Sequence, residues 1–69
     1  MIEIIVTNAT RPCEVIINWK DYTHSKGLTD SSGRIRFDVS SNNRGTISVD
    51  GKVVASDVWF GDGTVKVKK

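Results

Sequence analysis

The chain has 69 residues, 38% of them hydrophobic and 26% charged, with ten basic and eight acidic side chains and a formal charge of +2. That length leaves room for one domain over residues 1–69, with a core so small that nearly every apolar side chain must enter it, which excludes a second domain and a deep pocket. The apolar content excludes a disordered tail, and the near balance of charge falls short of a dedicated polyanion binder.

β-Branched Ile and Val supply most of the apolar residues, Leu28 is the single leucine, and Ala9 and Ala55 are the only alanines. Such residues suit a pleated surface and crowd a helical turn. Ile2, Ile4 and Val6 alternate with Glu3, Ile5 and Thr7, which predicts a first strand. After a break over Asn8 to Pro12, Cys13, Val15, Ile17 and Trp19 alternate with Glu14, Ile16, Asn18 and Lys20 in a second. Thr23 to Leu28 predicts a short third strand with a bulge or bend at Gly27. Thr29-Asp30-Ser31-Ser32-Gly33 then reads as a tight turn, because Asp and Ser cap turn amides and Gly accepts a positive φ.

Arg34 to Val39 is the cleanest strand, with Ile35, Phe37 and Val39 on one face and Arg34, Arg36 and Asp38 on the other. Ser40 to Gly45 is a second polar turn, followed by the alternating Thr46-Ile47-Ser48-Val49. Asp50-Gly51 fits a type I′ hairpin turn, from which Lys52 to Ala55 returns antiparallel. Val58-Trp59-Phe60 is a short apolar piece, Gly61-Asp62-Gly63 a turn, and Thr64 to Lys68 the last strand, with Val65 and Val67 inward. Six to seven strands with no helical crossover predict an all-β antiparallel sandwich of the immunoglobulin or prealbumin Greek-key type, or else a small barrel.

The segment Gly27 to Phe37 resembles the carboxypeptidase regulatory-like domains, prealbumin-like sandwiches that typically carry a T-D-x-x-G-x-(apolar)-x-F turn and strand. Thr29, Asp30, Gly33, Ile35 and Phe37 occupy the matching places. Arg44 to Gly51 looks like the next strand of that family and Arg11 to Ile17 like its second, so the resemblance covers residues 11 to 51. Thr7 to Thr10 departs from the family's first strand and its glycine-containing turn. The resemblance implies a fold and an accessory or interaction role, and it carries no catalytic residues and no ligand.

The residues themselves point away from an enzyme. Cys13 and His24 form the one nucleophile and base pair on offer, yet Cys13 shares the inward period of Val15, Ile17 and Trp19, which predicts a buried thiol, and His24 reads as a surface residue. One His and one Cys make no zinc site, and Asp30, Asp57 and Asp62 fall in no calcium loop pattern, so no metal or other cofactor is expected. Gly61-Asp62-Gly63 lacks the Gly-Lys-Ser/Thr of a phosphate loop. Asn8-Ala9-Thr10 matches a glycosylation sequon on a chain with no visible secretory signal.

What remains is binding. A non-catalytic structural or protein-binding module is expected, of a kind that would suit a phage or virion accessory protein, with an unknown protein partner or a second copy of the chain. Trp59, Tyr22 and Ile5 or Val54 are candidate anchors. The alternative is a small β-barrel that binds single-stranded nucleic acid through Arg34, Arg36, Lys66, Lys68 and Trp59, provided that these converge on one face. The single cysteine and the lack of a signal or a long apolar run favour a cytoplasmic or virion location over secretion, with no membrane partner.

Overall fold

Period-2 alternation becomes strand wherever one of its two faces is covered, and two sheets covering each other satisfy every alternating segment of this chain at once. The computed structural model describes residues 2–38, 44–61 and 63–69. Its strands are β1 (Ile2–Thr7), β2 (Glu14–Trp19), β3 (His24–Leu28), β4 (Arg34–Phe37), β5 (Arg44–Val49), β6 (Lys52–Trp59) and β7 (Thr64–Lys68). They form a three-stranded sheet ordered β4-β1-β7 and a four-stranded sheet ordered β3-β2-β5-β6. The protein is therefore an all-β sandwich, and no helix occurs among the described residues.

The inward side chains are those that the alternation assigned. Ile2, Ile4 and Val6 of β1 face Val15, Ile17 and Trp19 of β2 and Ile47 and Val49 of β5, closed by Phe37, Phe60 and Val67. β1 is central in its sheet, and its three inward residues are fully enclosed, each at or below 1% exposure. Phe60 lies just past β6 and is wholly buried, its ring 4.8 Å from that of Trp19 at an interplanar angle of 56°. Trp19 keeps its indole N–H satisfied by donating to Ser25 Oγ at 3.0 Å.

Four expectations change. β1 and β7 run parallel, from Glu3 opposite Thr64 to Thr7 opposite Lys68, so the sandwich is not wholly antiparallel. The chain leaves the four-stranded sheet after β6 and enters the other sheet beside β1, a crossing that sets direction without a hairpin. Gly27 is neither bulge nor bend, for it holds regular register opposite Val15. A Cβ there would lie 2.6 Å from Ile35 Cδ1, so the inward face of β3 at Gly27 closely receives a side chain from β4.

β6 is one eight-residue strand in place of two short pieces. Its register against β5 shifts twice, and Asp57 has φ +52°, so extra residues interrupt the alternation without ending the strand. Finally, β5 begins at Arg44, within the segment expected to be turn, while Ser40 to Asn43, Val39 and Asp62 lie outside the described residues. Asp50-Gly51 forms the expected hairpin turn, with φ +52° and +83° between the paired residues Val49 and Lys52.

The Thr29-Asp30 segment ties the two sheets together. Thr29 is buried, its hydroxyl accepts the Cys13 amide at 2.9 Å, and its own amide donates to the Cys13 carbonyl at 2.8 Å. Asp30 Oδ1 accepts the amides of Ser32 and Arg34 and the Ser32 hydroxyl, which closes the turn, while Gly33 accepts the Val6 amide at 2.8 Å. The Thr, Asp and Gly of the motif thus each satisfy backbone groups that would otherwise be left open.

Candidate functional site

Cross-strand register decides which outward side chains meet. In the three-stranded sheet, Arg34 and Lys66 both stand opposite Ile5, one from each side, and Arg36 and Thr64 both stand opposite Glu3. Lys68 stands opposite Thr7. The four cations expected to form a stripe therefore do share one outward face, with Arg34 and Lys66 about 10 Å apart across the partly exposed Ile5.

They are not equivalent. Arg36 donates to Glu3 Oε2 at 3.2 Å, so this pair is neutral as a unit. Among the described residues no carboxylate lies within ion-pair distance of Arg34, Lys66 or Lys68, and Asp30, whose carboxylate feels the Arg34 charge, is engaged with turn amides. The positive end of the face is thus Arg34, Lys66 and Lys68 around Ile5.

Trp59 and Tyr22 are elsewhere, both on the four-stranded sheet. Trp59 stands opposite Arg44 at the β6 edge, half exposed, with the Arg44 guanidinium carbon 5.9 Å from its ring centre. Tyr22 projects from the β2–β3 turn at 99% exposure. Arg44 also lies 3.6 Å from the Asp57 carboxylate, and this grouping of Arg44, Trp59 and Tyr22 was not legible in the sequence, because Arg44 fell in a segment expected to be turn. Val54 is half-buried beside the core, and so is a weaker anchor than Trp59.

The pair offered as a nucleophile and base is separated. Cys13 immediately precedes Glu14, which pairs with Leu28, whereas His24 pairs with Asn18 at the far end of the same hairpin. Cys13 is fully buried, its thiol donates to the Arg11 carbonyl at 3.2 Å, and Lys69 Nζ donates to its sulfur at 3.3 Å. Lys69 is held chiefly by Asp50 at 2.9 Å, which raises the ammonium pKa and lowers that of the carboxylate. Among the described residues no three His, Cys, Asp or Glu side chains gather as metal ligands, and no helix is long and apolar enough to cross a membrane.

Three carboxylates titrate below the ordinary range because they accept hydrogen bonds in turns: Asp30 from the Arg34 amide and the Ser32 hydroxyl, Asp21 from the Thr23 hydroxyl and amide, and Asp50 from Lys69 and the Glu14 amide. A folded-state pKa below the unfolded one adds stability that is complete above about pH 4 and is lost as pH falls through the folded value. The urea midpoint is therefore expected to drop on acidification below about pH 4. In Asp30→Asn that drop should be smaller, and an identical pH profile for the variant would remove Asp30 as a cause.

Compared with known proteins, the chain matches no family model, no curated protein and no solved structure.

Proposed function

We propose that this is a non-catalytic protein-binding sandwich that docks an acidic protein surface on the outer face of its three-stranded sheet. The observation that carries the reading is the convergence of Arg34, Lys66 and Lys68 around Ile5. An apolar side chain ringed by cations suits a partner residue that is apolar at its centre and acidic around it, since charge complementarity sets register and on-rate while the apolar contact resists dissociation.

Single-stranded nucleic acid is the weaker reading. Binding of that kind needs aromatic platforms beside the cations, and Trp59 lies on the other sheet. For the fold, the strand order supports the prealbumin-like reading over the immunoglobulin one. Immunoglobulin constant domains group their strands, in chain order, as 1-2-5-4 and 3-6-7. Here β3 and β6 flank the β2-β5 pair, and β4 joins β1 and β7. A carboxypeptidase regulatory-like module fits this reading as an accessory domain.

Poly-L-glutamate serves as the probe. The chain is expected to bind it with an affinity that falls as salt is added, and Arg34→Glu with Lys66→Glu should weaken binding by about tenfold or more, since each reversal replaces an attraction with a repulsion. Binding unchanged in that double variant would sink the proposal. Preferential binding of an oligo-dT strand, lost in Trp59→Ala, would establish the nucleic-acid reading instead.

A further inference from the structure

We infer that the groove between the β2–β3 turn and the β5–β6 edge is a carbohydrate site, with Tyr22 as the platform for a pyranose ring and the Arg44–Asp57 pair as the hydrogen-bonding wall. The inference is independent of the acidic-partner face, which belongs to the other sheet.

The first observation is Tyr22 itself. Its ring is 99% exposed and its φ is +70°, a left-handed conformation that a bulky aromatic residue adopts only under constraint. The constraint is visible: Asp21 Oδ1 accepts the Thr23 amide at 3.1 Å and the Thr23 hydroxyl at 2.5 Å, and the Tyr22 amide donates to the Trp19 carbonyl at 3.1 Å. Packing gains nothing from this arrangement, since the ring touches solvent on all sides. Glycine would form the same turn without strain. A tyrosine held here is a ring kept on display.

The second observation is what stands beside it. Asn18, Tyr22, Arg44, Thr46, Ser56 and Asp57 line a depression of about 470 Å³, a volume that admits one or two sugar rings. Arg44 is paired with Asp57 and so offers a polyanion little net attraction, which leaves Lys20 as the other cation of the lining. Arg44 lies 3.6 Å from the Asp57 carboxylate and over the Trp59 ring, so guanidinium donors stand next to a carboxylate acceptor. Asn18, Thr46 and Ser56 supply further donors and acceptors.

A neutral ligand rich in hydroxyl groups, with one C–H face to lay on an aromatic ring, matches this set. The electron-rich face of tyrosine attracts polarised C–H groups, while the alternating donors and acceptors of the wall suit hydroxyls that do both. A purely apolar ligand would leave the wall unpaired.

The test is titration of the whole chain with cellohexaose, maltohexaose and chitohexaose, followed by amide chemical shifts and tryptophan fluorescence. At least one sugar should bind saturably with Kd of about 1 mM or tighter, perturbing Tyr22, Arg44 and Thr46. Tyr22→Gly should weaken that binding by more than about tenfold while its urea midpoint equals or exceeds that of the wild type, because the strain is relieved. Arg34→Glu with Lys66→Glu should leave sugar binding unchanged. The inference is overturned if none of the three sugars saturates, if binding survives Tyr22→Gly, or if the groove takes up an oligo-dT strand and no sugar.

Discussion

Gly33→Ala is expected to cost most of the stability of this domain. Gly33 has φ +88°, and a Cβ added to it would run directly into the Val6 carbonyl oxygen and lie 3.2 Å from the Ala9 Cβ. Both obstacles are rigid, one being backbone of the central strand β1. The left-handed conformation alone costs alanine about 1 kcal/mol. Displacing the turn also loosens the bond from the Val6 amide to the Gly33 carbonyl, worth about another 1 kcal/mol. With the steric displacement the total reaches about 3 kcal/mol, in a domain whose net stability is of order 3–5 kcal/mol.

Gly51→Ala provides the internal reference for equilibrium urea denaturation. Gly51 has nearly the same φ, +83°, but nothing lies within 4 Å of the added atom. Its loss should be the conformational cost alone, about 1 kcal/mol. Equal losses in the two variants would show that the approach of Gly33 to β1 contributes nothing.

Phe60→Ala should be comparably severe for a different reason. Phe60 belongs to no strand, yet it is among the largest fully buried side chains and its ring packs on Trp19. Truncating a buried Phe costs about 3–5 kcal/mol through lost burial and the cavity left behind, and the aromatic pair adds to this. Trp19 would then border the cavity, so its fluorescence should shift to longer wavelength even in whatever fraction stays folded. Leu28→Ala, at a residue 68% exposed, sets the scale for a side chain outside the core. A Phe60→Ala loss no larger than that of Leu28→Ala would mean that Phe60 is not part of the core.

These variants probe features of unequal legibility. Phe60 was readable as apolar but not as a core plug, because the three-residue piece Val58-Trp59-Phe60 is too short to show which of its faces is buried. Gly33 was readable as a turn glycine from Asp30-Ser31-Ser32-Gly33, whereas the Val6 carbonyl that forbids any other residue is far away in sequence. Gly27 misled, since a glycine inside a strand signals a bulge as readily as a close approach, and only the position of Ile35 distinguishes them.

The candidate sites divide in the same way. That Arg34 and Arg36 face outward follows from the alternation of their own strand, as it does for Lys66 and Lys68. That the two pairs form one surface follows from β1 lying between β4 and β7, and half of that arrangement is a parallel pairing with no hairpin to announce it. Trp59 was grouped with them by composition, and its strand joins the other sheet.

By itself the sequence determined strand content, the inward and outward assignment of most strands, the burial of Cys13, and the turns at Thr29 to Gly33 and at Asp50-Gly51. All of these depend on interactions within a few residues, where side-chain alternation and backbone φ preferences act directly. The tertiary structure decided which strands are neighbours, that β1 and β7 run parallel, and that cations and aromatics stand on different sheets. Those depend on hydrogen bonds and contacts between residues distant in the chain, which are selected by how two sheets bury one shared core and leave no mark in local periodicity.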